Sequence, residues 1–281
     1  MNIKLIFGAS LLLLVPIAGQ ASTTIVYTDN AANSAYASGY AGNGAGTPGF
    51  GAFFVTTNTV SGGSAGTFIG SAASSENGSG GAMDTGGNSF GMFANGTSSG
   101  AGNPSVTVSR SFNIPTQPTG LVNTGDIFSL DFVTGYNDGF AGSAGVALTN
   151  GSGSVGSFFF QKATATTGED FFFNGVDTGK GYNNGILHLT YTLTSPTTYS
   201  FSSTGAVAYS GTFTAAAPVT GFLVQQTNSA GGGGDHDAFF NNLSLTAAPA
   251  AAPEPSQMAA ISFMVLGLGG LLVRRRQMRV D

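Results

Sequence analysis

Residues 231–240 read GGGGDHDAFF, so Asp235, His236 and Asp237 are three potential metal ligands in a row behind four glycines. Adjacent residues of an extended chain point in opposite directions, and at most two of the three can share one ion. Two carboxylates joined by backbone carbonyls make an all-oxygen donor set, which suits Ca²⁺ better than zinc. Asp235 and Asp237 are therefore the candidate ligands, with calcium as the one cofactor to consider. Asp138 in YNDGF and the pair Glu169–Asp170 are further oxygen donors of the same kind. The other histidine, His188, lies in ILHLTYTL. Leu187, Leu189, Tyr191 and Leu193 occupy one face of that pattern, which turns His188 to the opposite face with Ile186 and Thr190.

A second chemistry is open to the tyrosines. Sugar-binding sandwiches stack pyranose rings on exposed aromatics and bond the hydroxyls with Asn and Asp. Tyr136 and Tyr182 are the candidate platforms, with Tyr209 as a third, and GYNNG (Gly181–Gly185) is a suitable polar loop. The chain has no Trp, the commonest platform for stacking, and most of its 23 Phe are explained as core. Enzymatic chemistry finds less support. Paired carboxylates for glycoside hydrolysis are arithmetically available, but most acids stand in Gly/Asn turns where Asp is expected anyway. There is no GxSxG elbow, HExxH helix, phosphate loop or dinucleotide fingerprint. A binding or structural protein is expected, not an enzyme.

Composition narrows the partners. Between residues 22 and 248 only Arg110, Lys162 and Lys180 are basic, against eleven acids, a net charge of −8. Nucleic acid is excluded as a partner, because phosphate neutralisation needs clustered Lys and Arg. Charged residues make up 7% of the chain, so Ser, Thr, Asn and Gly must carry its solubility. Such a surface suits a polysaccharide-rich extracellular setting. The absence of cysteine excludes disulfides, thiol catalysis and Cys-based metal sites. The core must then be apolar packing alone, supplied by Phe.

Positioning of these residues falls to strands. PSVTVSRSFNI puts Val106, Val108, Phe112 and Ile114 on one face, and Arg110 with them, which requires a nearby edge or a carboxylate partner. GDIFSLDFVTG groups Phe128, Leu130 and Phe132. AGVALTN and VGSFFFQKA bracket the turn NGSGS, a hairpin signal. STTIVYTDN, FGAFFVTTNTV, GTFIGS, EDFFFNGV, ILHLTYTL, TTYSFSS, AVAYSGTF, TGFLVQQT and AFFNNLSLT complete the set, and Asn241 and Asn242 on the last are placed to bond neighbouring loops. The Gly-rich patch at 71–103 keeps Phe90 and Met92 and reads as strands with long loops. About a dozen strands separated by turn signals imply an all-β, antiparallel sandwich. The strand order and closing strand resemble jelly-roll, lectin-like domains of surface proteins.

The two ends carry addresses. Lys4 precedes the apolar run LIFGASLLLLVPI, and AGQAS places small residues for signal peptidase, with cleavage between Ala21 and Ser22. This is a signal peptide for the general secretion route. At the other end, Ala259–Val273 is free of charge and Arg274, Arg275, Arg276 and Arg279 follow. That stretch alone is about 22 Å of helix, short of a bilayer core of about 30 Å; Pro255–Met258 lengthens the uncharged run to 19 residues, a marginal span, and the arginines would hold the C-terminus on the cytoplasmic side.

Pro253–Glu254–Pro255, a short apolar helix and an arginine cluster, in that order, resemble the PEP-CTERM sorting signal of Gram-negative bacteria. The resemblance covers only about the last 28 residues. It implies recognition by an exosortase, a membrane-embedded cysteine transpeptidase, at Pro253, Glu254 and Pro255. It also implies transient anchoring in the inner membrane, then delivery to the cell surface or exterior. Pro253 and Pro255 keep the segment extended, as a protease cleft requires. The expected organisation is a signal peptide at 1–21, a β-sandwich at 22–248, an Ala/Pro linker at 249–253 and a sorting segment at 253–281. That segment comprises a transmembrane helix at 259–273 and an arginine cluster at 274–279. The function this implies is a structural or adhesive surface or matrix protein. The alternative is a carbohydrate-binding module, calcium-assisted, with extracellular polysaccharide as its partner.

Overall fold

The computed structural model describes residues 23–250, apart from 45–46, 61, 97–102, 118, 138–141, 163–168 and 230. The signal-peptide boundary at Ala21 and Ser22, Asp138, the Pro253–Glu254–Pro255 motif, the apolar helix and Arg274–Arg276 lie outside the described residues. Among those described, no helix is long and apolar enough to cross a membrane.

The chain begins with β1 (Ile25–Asp29), β2 (Gly49–Asn58), β3 (Ser64–Gly70), β4 (Ser89–Asn95) and β5 (Ser105–Asn113). It continues with β6 (Ile127–Val133), β7 (Ser143–Thr149), β8 (Ser154–Lys162), β9 (Glu169–Phe173) and β10 (Val176–Gly181). The remainder holds β11 (Leu187–Ser195), β12 (Thr198–Gly205), β13 (Tyr209–Thr214), β14 (Gly221–Thr227) and β15 (Ala238–Ala247). Short 3-10 turns are the only helical elements described. The strand that apolar alternation does not announce is β10. It is almost wholly exposed and owes its conformation to pairing with β9, through a bulge between Asp177 and Lys180.

Two antiparallel sheets result. One has eight strands in the order β13–β12–β11–β6–β15–β4–β3, with β1 also pairing with β15; the other runs β10–β9–β8–β7–β14–β5–β2. The pairs β4·β15, β5·β14, β6·β11 and β7·β8 are nested one inside the next and alternate between the sheets. A long hairpin wound around two facing sheets produces that nesting, which is the connectivity of a jelly roll.

The interior is aromatic. Phe128, Leu130 and Phe132 of β6 are buried on one face, as are Val106, Val108, Arg110 and Phe112 of β5. Phe158, Phe171, Phe173, Phe201 and Tyr191 continue the packing across both sheets. Of the two outcomes that its inward position left open, an edge or a carboxylate, Arg110 meets a carboxylate. Its Nη1 lies 2.7 Å from Asp29 Oδ2, with both side chains fully buried. The rest of the guanidinium is used as well: Nε donates to Gly51 O at 2.6 Å and Nη2 to the Thr47 hydroxyl. Phe50 and Phe53 lie over its plane. Tyr36 donates its hydroxyl to the same Asp29 carboxylate. One buried charge pair thereby ties β1, β2 and β5 together.

A smaller apolar cluster lies on the outer face of the eight-stranded sheet. Val133 and Phe239, partners across β6 and β15, pack there with Ala72 and Met83. The segment above them, Ala72–Met83, is a run of 3-10 turns where strands with long loops were expected. Asn241 and Asn242 fasten it, both donating to Met83 O, at 2.9 and 3.1 Å. Asn242 also donates to Asp131 Oδ2 at 2.8 Å, and the other oxygen of Asp131 meets His188 Nδ1 at 2.6 Å. His188 is outward-facing and half exposed.

Candidate binding site

At one end of the sandwich the segment following β6 runs beside the turn that enters β15. Gly135 permits this approach. Its φ is +64°, and a Cβ there would collide with the carbonyl oxygens of His236 and Asp237. Beyond it, Tyr136 N donates to Asp235 O at 2.8 Å, and His236 Nδ1 lies 2.8 Å from Tyr136 O and 3.1 Å from Ser229 O. The imidazole is largely buried.

The tyrosines chosen as sugar platforms meet at this end. Tyr136 and Tyr182 stand edge to face with centroids 6.4 Å apart, and Tyr136 lies 5.5 Å from the His236 ring. Their roles differ. Tyr136 is 40% exposed and presents a ring to solvent. Tyr182 packs on Phe160, and its hydroxyl is bonded to the Glu76 carboxylate, so it braces Tyr136 from behind. Burial first, then the bond to Glu76, raises the Tyr182 phenol well above its usual range. Asn184 closes the arrangement by donating to Glu76 O at 2.9 Å and accepting from Ser79. Tyr209 lies instead on β13, packed against Phe158 and Phe173 of the core.

Asp235 and Asp237 flank His236 on the 3-10 turn Gly234–His236 and point to different environments. The Asp235 carboxylate is 58% exposed. Asp237 is half-buried, and desolvation pushes its carboxyl up to about 6, aided by Asp235 and opposed by His236. Among the described residues, no three His, Asp or Glu side chains converge as a metal-binding group. Glu169 is paired with Lys162 at 3.1 Å.

The outer face of the seven-stranded sheet went unread in the sequence. One cross-strand row runs over all its strands: Thr56, Thr107, Gln225, Gly145, Phe159, Phe172, Asp177. The signal was present in the triplets at 158–160 and 171–173. Three consecutive Phe in a strand bury the first and third and turn the middle one outward. Phe159 and Phe172 are those middle residues, opposite one another and half-buried. Gly145 leaves the room over which the Phe159 ring leans. The doublet Phe53–Phe54 behaves likewise, and Phe54 is 69% exposed. It borders a shallow hollow of about 290 Å³, lined also by Ala52, Ser109, Ser111, Thr149 and Thr220.

No family model matches the chain, and no curated protein matches it. Solved structures resemble it loosely. The carbohydrate esterase vb_24B_21 from Shiga toxin-encoding bacteriophage phi24B is 12% identical with a TM-score of 0.39, over 69% of this chain and 89% of that one. The CBM2 module of the evolved Dit of Lactobacillus casei BL23 phage J-1 is 14% identical with a TM-score of 0.35, over 53% and 71%. A family 11 carbohydrate-binding module from Clostridium thermocellum is 11% identical with a TM-score of 0.31, over 71% and 91%. Function must be argued from the site itself.

Proposed function

We propose that this chain is an exported protein whose sandwich binds neutral polysaccharide, and that its C-terminal segment is the sorting signal that delivers it to the cell surface or exterior. The observation that carries the binding reading is the row across the seven-stranded sheet. Phe159 and Phe172 form an apolar strip flanked by the hydroxyls of Thr56 and Thr107, the Gln225 amide and the Asp177 carboxylate. Apolar sugar faces can stack on such rings while the ring hydroxyls bond to the polar positions. A row crossing the strands suits an extended glycan chain. Tyr136, held by Tyr182 and His236, adds a stacking position at the end of the sandwich.

The net charge of −8 between residues 22 and 248 favours uncharged glycans over anionic ones. Binding without turnover is the reading, resting on a sequence without GxSxG, HExxH, phosphate-loop or dinucleotide motifs. The sorting reading rests on Pro253–Glu254–Pro255, the apolar stretch and Arg274–Arg276. Exosortase and signal peptidase are its partners.

Affinity electrophoresis of the full-length chain through gels containing neutral β-glucan, xylan or mannan tests the binding. Retardation by at least one, lost in the double variant Phe159→Ala/Phe172→Ala while the fold is kept, is expected. Equal mobility in every gel overturns it. For sorting, mass spectrometry of the mature protein should place its end near Pro253, and Arg274–Arg276 retained on most molecules refutes processing.

A further inference from the structure

The polar side chains around Phe159 and Phe172 are not equivalent, because several are already committed within the chain. Asp177 accepts from Gly179 N at 2.7 Å, inside the bulge of β10. Asn174 accepts from Ser157 N at 2.8 Å and donates its own N–H to Ser157 O at 2.9 Å. Lys162 and Glu169 pair with each other at 3.1 Å.

Gln161 and Asp170 differ from all of these. They are cross-strand partners, as Phe159 and Phe172 are, and stand one step along the same two strands. Gln161 lies two residues after Phe159, and Asp170 two before Phe172. The residues between, Phe160 and Phe171, are each 1% exposed. Strand parity therefore turns Gln161 and Asp170 to the outer face, beside the two rings. Neither side chain has a hydrogen-bond or charged partner among the described residues. Across from Asp170 on β10 stands Gly181, where a Cβ would come within 3.8 Å of Asp170 Oδ1. The carboxylate thus lies over bare backbone.

Cross-strand partners hold their Cβ atoms about 4.5–5.5 Å apart, and two residues along a strand span about 6.6 Å. Four side chains at those spacings outline a patch the size of one sugar ring. Two rings form its floor, and a carboxylate and an amide stand along one rim. We infer that Gln161 and Asp170 are the selective subsite of the glycan face, binding adjacent hydroxyls of a sugar that stacks on Phe159 and Phe172. This rests on the polysaccharide reading above and adds to it the residues that choose the ligand. An ionised carboxylate only accepts hydrogen bonds, and the amide both donates and accepts. Sugar hydroxyls satisfy both groups. A uronic acid or sulfated sugar sets like charge against Asp170 and is rejected.

Graded native gels of neutral β-glucan, xylan or mannan, and of the carboxymethylated form of each, test this with the full-length chain. The parent should bind at least one neutral form at least about tenfold more tightly than its carboxymethylated form. Asp170→Asn keeps the shape and removes the charge. It should weaken neutral binding at least about tenfold and shrink the preference over the carboxymethylated form to about threefold or less. Gln161→Ala should weaken neutral binding about threefold and leave the preference in place. Glu169→Gln, in the neighbouring ion pair, should stay within about twofold of the parent. Asp170→Asn binding within about twofold of the parent, with an unchanged preference, overturns the subsite. If Phe159→Ala/Phe172→Ala still abolishes binding in those gels, the glycan face itself stands. A parent that no gel retards overturns both.

Discussion

The guanidinium of Arg110 and the carboxylate of Asp29 meet at 2.7 Å with neither side chain reaching solvent, although 81 residues separate them. The pair brings no net charge into the core and spends its remaining hydrogen-bonding capacity on Gly51, Thr47 and Tyr36. Breaking it from one side strands a buried charge. Arg110→Met or Asp29→Ala is therefore expected to cost about 3–5 kcal/mol in denaturant unfolding. The apolar double variant Asp29→Leu/Arg110→Met should recover most of that loss. A single variant within about 1 kcal/mol of the parent would contradict the account.

A second carboxylate closes the opposite end of the chain path. Asp126 is fully buried, with Oδ2 accepting from Val122 N at 2.8 Å and Asn123 N at 2.9 Å. Its Oδ1 accepts from Ala248 N at 2.8 Å and from Gln117 Nε2 at 3.2 Å. Ala248 is the residue just after β15. Asp126→Ala should cost about 3 kcal/mol, since charge-assisted bonds contribute most when buried. Limited proteolysis should then cut first around residue 248, and unchanged protection there would count against the clip.

Burial raises the phenols of Tyr36, Tyr40, Tyr182, Tyr191 and Tyr199 above their usual range. The folded state therefore holds these protons more tightly than the unfolded chain. Their contribution to stability is complete below about pH 10, the unfolded value, and is lost as pH rises beyond it. Thermal midpoints should fall above about pH 10. Phenolate absorbance from these five should appear together with loss of the near-ultraviolet dichroism. Full ionisation of all eight tyrosines with that dichroism intact would contradict the packing.

Stacking on exposed rings predicts losses of binding without losses of fold. Tyr136→Ala and Phe54→Ala remove rings that are 40% and 69% exposed. Where a ring contacts the glycan, binding should weaken roughly tenfold, about 1.4 kcal/mol, while the midpoint of unfolding moves little. A Tyr182→Phe exchange separates platform from brace. It keeps the ring but removes its hydroxyl's bond to Glu76, so it should loosen the Ala72–Met83 segment in hydrogen exchange more than it weakens binding.

Alternation alone identified which residues of β5 and β6 face inward, because a pleated strand has period two and water excludes Phe and Val wherever the pattern is spelled. It equally required that Arg110 lie near an edge or meet a carboxylate; Tyr136, Tyr182, Asp235 and Asp237 were candidates by residue type and setting, not by alternation. The middle Phe of each triplet was decidable from the same rule, and was missed because Phe was counted as core by type instead of by parity. What only the tertiary structure decided are the partners: Asp29 for Arg110, Glu76 for Tyr182, Gln226 for the His236 carbonyl. These bonds span 81, 106 and 10 residues, and no local pattern encodes which loop arrives. Nesting of β4·β15 around β7·β8 brings those loops together. It does so because facing two apolar sheets toward each other removes more surface from water than any one sheet could alone.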